Sequence, residues 1–300
     1  MKISIIGNGA IGNLLVYQCH TQSLDYQVIT RDGQALTLQV HDLNGKCSQI
    51  ALPVSALDSL ATSELIIVPL KAYQIENFIL QFQNYSRVNQ TLVLLHNGMG
   101  TIEAVQRMLP EISLIAATTS YGAFKQNYHH LHIKGRGESH LGWLRQSADC
   151  PSQQIETLLS ALLPPAHWHP NICLALWLKL AINAAINPLT ALHQINNGAL
   201  SAPVFQAQIK QLFGEISQVM QHLGFAIDAI ELLQKVNEVI DATADNFSSM
   251  NRDVHARRRS EIDFINGYII KQAKQFGLAC PLNLALFNQI KTLENHYLSH

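Results

Sequence analysis

The chain has 300 residues, of which 48% are hydrophobic and 14% charged, with a formal net charge of −1. That is enough apolar material for one large or two medium domains, and the wrong balance for a disordered chain. A nearly neutral whole excludes the broad basic field that gathers nucleic acid or anionic lipid.

The cysteines (Cys19, Cys47, Cys150, Cys173, Cys280) are dispersed and form no C-x-x-C pair. Such a set reads as free thiols in a reducing compartment. The opening run Met1-Lys2-Ile3-Ser4-Ile5-Ile6 is too short for a signal peptide, and no run is read as long enough to span a bilayer. A cytoplasmic, soluble chain without membrane or nucleic-acid partners is expected.

In chain order, residues 2–6 are β-branched and predict a buried first strand. They lead into Gly7-Asn8-Gly9-Ala10-Ile11-Gly12, a complete G-x-G-x-x-G, followed by a helical pattern over residues 10–20. Strand, glycine turn and helix in that order form a dinucleotide site. Gly7 permits the turn, Gly9 admits a pyrophosphate to the backbone, and Gly12 lets the helix pack close to the strand. The helix N-terminus then presents free N–H groups to the phosphates. A second strand over residues 26–30 ends in Thr30-Arg31-Asp32. Arg31 points to a 2′-phosphate and so to NADP(H), whereas Asp32 is the competing signal for NAD.

Residues 36–40 and 47–52 predict strands around the Asn44-Gly45 turn. Residues 65–70 and 91–95 predict buried strands, with Lys71 after the first and His96-Asn97-Gly98-Met99-Gly100 after the second. Ligands in open parallel sheets bind beyond the carboxyl ends of strands, which makes Lys71 and Asn97 candidates. Short strands over residues 114–119, 121–125, 128–133 and 139–143 are expected to finish the sheet with antiparallel pieces. His130 and His132 would share one strand face, but no cysteine or carboxylate stands at ligand spacing, and no metal is expected there or at His167-Trp168-His169. An amphipathic helix over residues 153–163 ends at Pro164-Pro165, the expected boundary between a domain of residues 1–165 and an all-helical one of 166–300.

Residues 172–191 are apolar almost throughout, yet carry Lys179, Asn183 and Asn187 at steps of four. Each such step advances about 40° on a helix, so the three groups form one tilted row on a buried helix. A buried ammonium and two amides need partners or a ligand. Pro188 is expected to end the regular helix. Further helices are predicted over residues 204–223, from an Asp228–Glu231 capping box to about 243, over 261–276 and over 281–297, with a polar link at 245–250. Glu261 has two readings: an ion pair with Arg257-Arg258-Arg259 just before it, or a partner for Lys179.

The chain resembles the ketopantoate reductase family over essentially its whole length. The resemblance is carried by the glycine motif, Leu70-Lys71-Ala72, His96-Asn97-Gly98-Met99-Gly100, Lys179-Leu180-Ala181-Ile182-Asn183, Asn187-Pro188-Leu189-Thr190, Ser248-Ser249-Met250 and Glu261-Ile262-Asp263-Phe264-Ile265-Asn266-Gly267. It implies an α/β fold, a Rossmann-type domain followed by an all-helical one with the active site in the cleft between them. It also implies NADPH-dependent reduction of 2-dehydropantoate to (R)-pantoate, a small 2-oxo acid substrate, and a monomer or homodimer. By the same resemblance Lys179 is the proton donor and Glu261 its acidic partner. Asn97, Asn183, Asn187, Asn246 and Ser249 are implied to contact substrate. The cofactor side takes Gly7, Asn8, Gly9, Ala10, Ile11, Gly12, Arg31, Lys71 and Asn97. Arg252 replaces an expected Gln and Ser260 an expected Thr. The other readings are a related two-domain reductase of another 2-oxo acid and a non-catalytic NADP(H)-binding regulator.

Overall fold

A computed structural model describes residues 1–298, which fall into two compact units. The first comprises Met1–His96 and Thr101–Ile172; Asn97–Gly100 group with the second, which otherwise begins at Cys173.

Twelve strands build the first unit: β1 Ile3–Ile6, β2 Tyr26–Ile29, β3 Thr37–His41, β4 Cys47–Ala51, β5 Val54–Ser55, β6 Leu65–Val68, β7 Thr91–Leu95, β8 Ser113–Thr119, β9 Gly122–Lys125, β10 His130–Gly135, β11 Ser139–Arg145 and β12 Ala166–Trp168. Four helices connect them: α1 Ala10–Thr21, α2 Ala72–Phe82, α3 Ile102–Met108 and α4 Ser152–Leu162. The main sheet has the order β12-β11-β8-β7-β6-β1-β2-β5. From β5 to β8 all pairings are parallel, which demands crossovers; α1, α2 and α3 supply three of them. Alternation along β1 sends Ile3 and Ile5 into one apolar layer and Ile6 into the other. Ser4, on the Ile6 side, is fully buried and satisfied by Ser63 Oγ at 2.6 Å and Gln27 Nε2 at 2.9 Å.

Two expectations are corrected here. The strands after residue 120 do not all finish the main sheet: β9 and β10 join β3 and β4 in a separate sheet, order β4-β3-β10-β9. Alternation explains this, because Leu38, Val40, Leu131 and Ile133 face the same apolar layer as Leu14 and Leu15 of α1. Pro164-Pro165 does not end the strand region either. β12 follows it and pairs in parallel with β11, Ser139 opposite Ala166.

The second unit is helical: α5 Cys173–His193, α6 Pro203–His222, α7 Ala229–Ala242, α8 Ser249–His255, α9 Asn266–Gln275 and α10 Pro281–Leu298. α5 is the hub and packs on α6, α7, α8 and α10. By length and composition it is apolar enough to cross a membrane, contrary to the expectation that no run is, but most of it is buried by its neighbours. Asp228 caps α7 through a bond from Glu231 N at 2.8 Å. The supposed link at 245–250 runs into α8, where Ser248 Oγ accepts from Asn251 N at 3.1 Å. The helix expected from 261 to 276 is instead a 3₁₀ turn, Ile262–Phe264, a break at Ile265 (φ −105°, ψ −92°), and then α9.

Pro188 does not end α5, which runs on to His193. A proline cannot donate to the carbonyl four residues back, here that of Ala184. Asn266, distant in sequence, supplies the missing donor: its Nδ2 lies 3.0 Å from the Ala184 oxygen. The same amide reaches Asn283 Oδ1 at 3.1 Å, and Asn283 Nδ2 reaches Glu215 Oε2 at 2.9 Å. This chain of bonds ties α5, α9, α10 and α6 together at the turn where the proline removes a helical donor.

Candidate active site

The glycine turn follows β1, and Lys71 follows β6, its neighbour in the sheet. β2 lies on the other side of β1, so the strand order reverses between β1 and β6, the place where open α/β sheets bind ligands. Gly7 adopts φ +85° and its N–H donates to Ile29 O at 2.7 Å. A Cβ on Gly12 would overlap the Gly7 carbonyl oxygen, whereas one on Gly9 would meet nothing within 4 Å. The turn is therefore tight where helix meets strand and open where a phosphate would approach. Asn8 Nδ2 is buried in this turn and has no hydrogen-bond partner among the described residues. Ala10 and Ile11 open α1 behind it. Gly12→Ala is expected to lower the melting temperature and weaken dinucleotide binding at least tenfold, read by thermal unfolding and by titration, since backbone carbonyls yield less readily than side chains.

Lys71 is the N-cap of α2, and its N–H donates to Gln74 Oε1 at 3.1 Å. Arg31 is exposed at the end of β2. Asp32 beside it is engaged: Thr30 Oγ1 donates to its Oδ1 at 3.1 Å and Tyr128 OH to its Oδ2 at 3.2 Å. Hydrogen bonds, led by the Gln34 backbone N–H, hold its carboxyl below the usual range. Thus Arg31, and not Asp32, is the residue with an uncommitted role at the strand end.

In the helical unit the row is intact on one helix: Lys179 and Asn183 are half-buried, and Asn187 is buried. Burial pushes the Lys179 ammonium down from 10.5 to about 8, and the negative charge of Glu261 offsets part of that fall. Glu261 is itself only 4% exposed. Two of the nearby arginines have acids of their own. Arg258 pairs with Asp253 at 3.1 Å and Arg259 with Asp263 at 3.2 Å, while Glu261 acts on Lys179.

Asn97 belongs to the same unit. The neighbouring Met99 N donates to Phe264 O at 2.9 Å. Gly98 (φ +80°) sits so close to that segment that a Cβ would lie 2.7 Å from Phe264 O. The residues after β7 are thereby fastened to the stretch that carries Glu261. Asn246 and Ser249 are exposed, but the backbone around them is held: Asn197 N donates to Asn246 O at 2.9 Å. Thr190 Oγ1 donates to Ser248 Oγ at 2.8 Å, coupling the start of α8 to the row helix. Sequence reasoning passed over Asn197, which is buried, donates to Thr243 Oγ1 at 2.9 Å and keeps an unpartnered Oδ1 among the described residues. It gave no role to Asn266, which it met only within the Glu261–Gly267 motif; the local signal for that role was a proline inside an apolar helical run.

Comparison with known proteins decides the family. Residues 3–146 match the family description "Ketopantoate reductase PanE/ApbA", and residues 171–294 match "Ketopantoate reductase PanE/ApbA C terminal". The chain is 38% identical over 299 residues to the 2-dehydropantoate 2-reductase of Vibrio cholerae, covering 99% of each. This chain belongs to the ketopantoate reductase family. It is accordingly an oxidoreductase with a Rossmann-like first half and a helical second half. Among solved structures it is similar to a D-mandelate dehydrogenase in ternary complex with NADH and anilino(oxo)acetate (TM-score 0.90, 22% identity, 99% of both chains). It is similar also to a dimeric ketopantoate reductase from Staphylococcus aureus (TM-score 0.85, 20% identity, 99% of this chain and 100% of that one). At those identities the likeness is one of fold.

Proposed function

We propose that this chain reduces 2-dehydropantoate to (R)-pantoate with NADPH, on the route to pantothenate, and that Lys179 is the proton donor. The observation that carries the reading is a lysine that burial brings down to about pKa 8 against the opposing charge of a buried carboxylate, on the same helix as two amides at steps of four. The family and the full-length relatives named 2-dehydropantoate 2-reductase support the substrate.

The residues of the glycine turn fit a dinucleotide: Gly9 leaves its approach open and Asn8 Nδ2 offers an unused donor. Gly7 to Gly12, Arg31, Lys71 and Asn97 would hold it, with Arg31 on the 2′-phosphate. Bound there, the reduced nicotinamide supplies a hydride. The protein's part is to meet the negative charge that grows on the ketone oxygen. Lys179 stabilises that oxygen by charge and hydrogen bond and then gives it a proton. A pKa near 8 keeps the ammonium mostly protonated at neutral pH while making it a far better acid than a solvated lysine. Asn97, Asn183, Asn187, Asn246 and Ser249 hold the substrate's carboxylate and hydroxyl without adding a competing charge.

The direct test follows NADPH absorbance as ketopantoate is added, with NADH and a panel of 2-oxo acids in parallel. A chain that prefers another 2-oxo acid overturns the substrate; one that binds NADPH and never oxidises it is a regulator instead. Light scattering on the same sample separates monomer from homodimer, and the dispersed cysteines point to the cytoplasm. Glu261→Gln removes the charge that raises the Lys179 pKa. The alkaline limb of the pH–rate profile is therefore expected to move to lower pH in that variant, and an unmoved limb would separate Glu261 from Lys179.

A further inference from the structure

Lys125, at the end of β9, reaches back to the glycine turn and donates to Asn8 O at 2.9 Å. Its ammonium also lies 4.6 Å from the centre of the Tyr128 ring. Tyr128 in turn donates to Asp32 at 3.2 Å. Lysine, tyrosine and aspartate thus form one line running from the phosphate-facing turn to the end of β2. Sequence reasoning assigned neither Lys125 nor Tyr128 to any site.

Two features of this line call for a ligand. Lys125 is half-buried, and burial pushes its pKa down. Among the described residues no carboxylate pairs with it. An ammonium has three N–H donors, and a backbone carbonyl and a ring face do not replace a counter-ion. The second feature is Asp32. An acid in this place selects NAD by accepting from the ribose 2′-hydroxyl, and it repels a 2′-phosphate. Here the acid is drawn toward Tyr128, while Thr30 takes its other oxygen.

We infer that the β9–β10 hairpin is a second reading element of the dinucleotide site, with Lys125 as a cation for the pyrophosphate and Tyr128 as the residue that sets the preference for NADP(H) by holding Asp32. The inference rests on the dinucleotide reading above and adds to it two residues of one hairpin in the smaller sheet, Lys125 at the end of β9 and Tyr128 in its turn. Lys125 answers a group that both nucleotides share, so it governs affinity. Tyr128 acts only through Asp32, so it is a positioning residue and governs selectivity.

The test is equilibrium binding of NADPH and of NADH to the full chain, followed by nicotinamide fluorescence with no keto acid present. Lys125→Gln is expected to weaken both nucleotides by about tenfold, with a shallower salt dependence, as loss of one charge-assisted contact requires. Lys125→Arg is expected to restore most of that binding. Tyr128→Phe is expected to narrow the NADPH-to-NADH affinity ratio by about fivefold, the worth of one hydrogen bond, with the change arising partly from tighter NADH binding. A general structural defect would weaken both nucleotides together and leave the ratio alone. The inference is overturned if the ratio in Tyr128→Phe stays at the wild-type value, or if Lys125→Gln binds both nucleotides as the wild type does. A wild-type chain that bound neither nucleotide would bring down the underlying reading, and this one with it.

Discussion

Replacing Lys179 by alanine is expected to lower kcat by about 10³–10⁴-fold, with NADPH still bound, because the proposed mechanism gives one side chain both tasks, oxyanion partner and acid. Retained nucleotide binding in the same sample shows that the glycine turn is intact. Lys179→Arg separates the two roles. A guanidinium keeps the positive charge but does not release its proton at accessible pH. Arginine is therefore expected to recover little of the lost rate, and an arginine variant as fast as the wild type would leave charge alone as the contribution of Lys179. In the wild type, kcat is expected to fall as pH rises through about 8, where the ammonium loses its proton.

The same group has a cost in stability, and its sign is opposite to that of an ordinary ion pair. Its folded pKa of about 8 lies below the ordinary lysine value of 10.5. Between those values the unfolded chain binds the proton that the folded chain has released, so the contribution of Lys179 to stability rises with pH across that window. Below pH 8 the folded protein carries a desolvated charge that Glu261 offsets in part. A stability maximum displaced to alkaline pH relative to Lys179→Met is the expected signature in denaturant titrations.

The largest structural effect is expected from Asn266→Asp, which keeps the shape and reverses the chemistry. The amide nitrogen donates to Ala184 O at 3.0 Å and to Asn283 Oδ1 at 3.1 Å, in a site with no solvent exposure. An aspartate there sets acceptor against acceptor twice, at a cost of about 3–5 kcal/mol in urea unfolding. Pro188 explains why this position matters. Pro188→Ala returns a backbone N–H to the Ala184 carbonyl, so the carbonyl no longer depends on Asn266. Asn266→Ala is accordingly expected to cost about 2–3 kcal/mol with Pro188 present and roughly 1 kcal/mol less with alanine there. Additive effects in that double-mutant cycle would break the proposed link between the proline and the asparagine.

Much of this protein is written in patterns of short range. The β-branched run before the glycine turn, the alternation in the strands and the capping box at Asp228 all depend on neighbours a few residues apart. So does the Lys179–Asn183–Asn187 row, because a spacing of four has one meaning once the helix is granted. Other outcomes depended on partners far away in the chain. The carbonyl that Pro188 leaves without its helical donor is met by Asn266. The charge of Glu261 acts on Lys179, some eighty residues earlier in the chain, while Asp253 and Asp263 engage Arg258 and Arg259. The hydrogen bond that engages Asp32 comes from Tyr128, in the loop between β9 and β10 and nearly a hundred residues away. Local periodicity follows from covalent geometry and can be read directly. A hydrogen-bond donor or counter-charge brought in from a distant segment leaves no periodic trace, and only the folded chain shows which of several partners it meets.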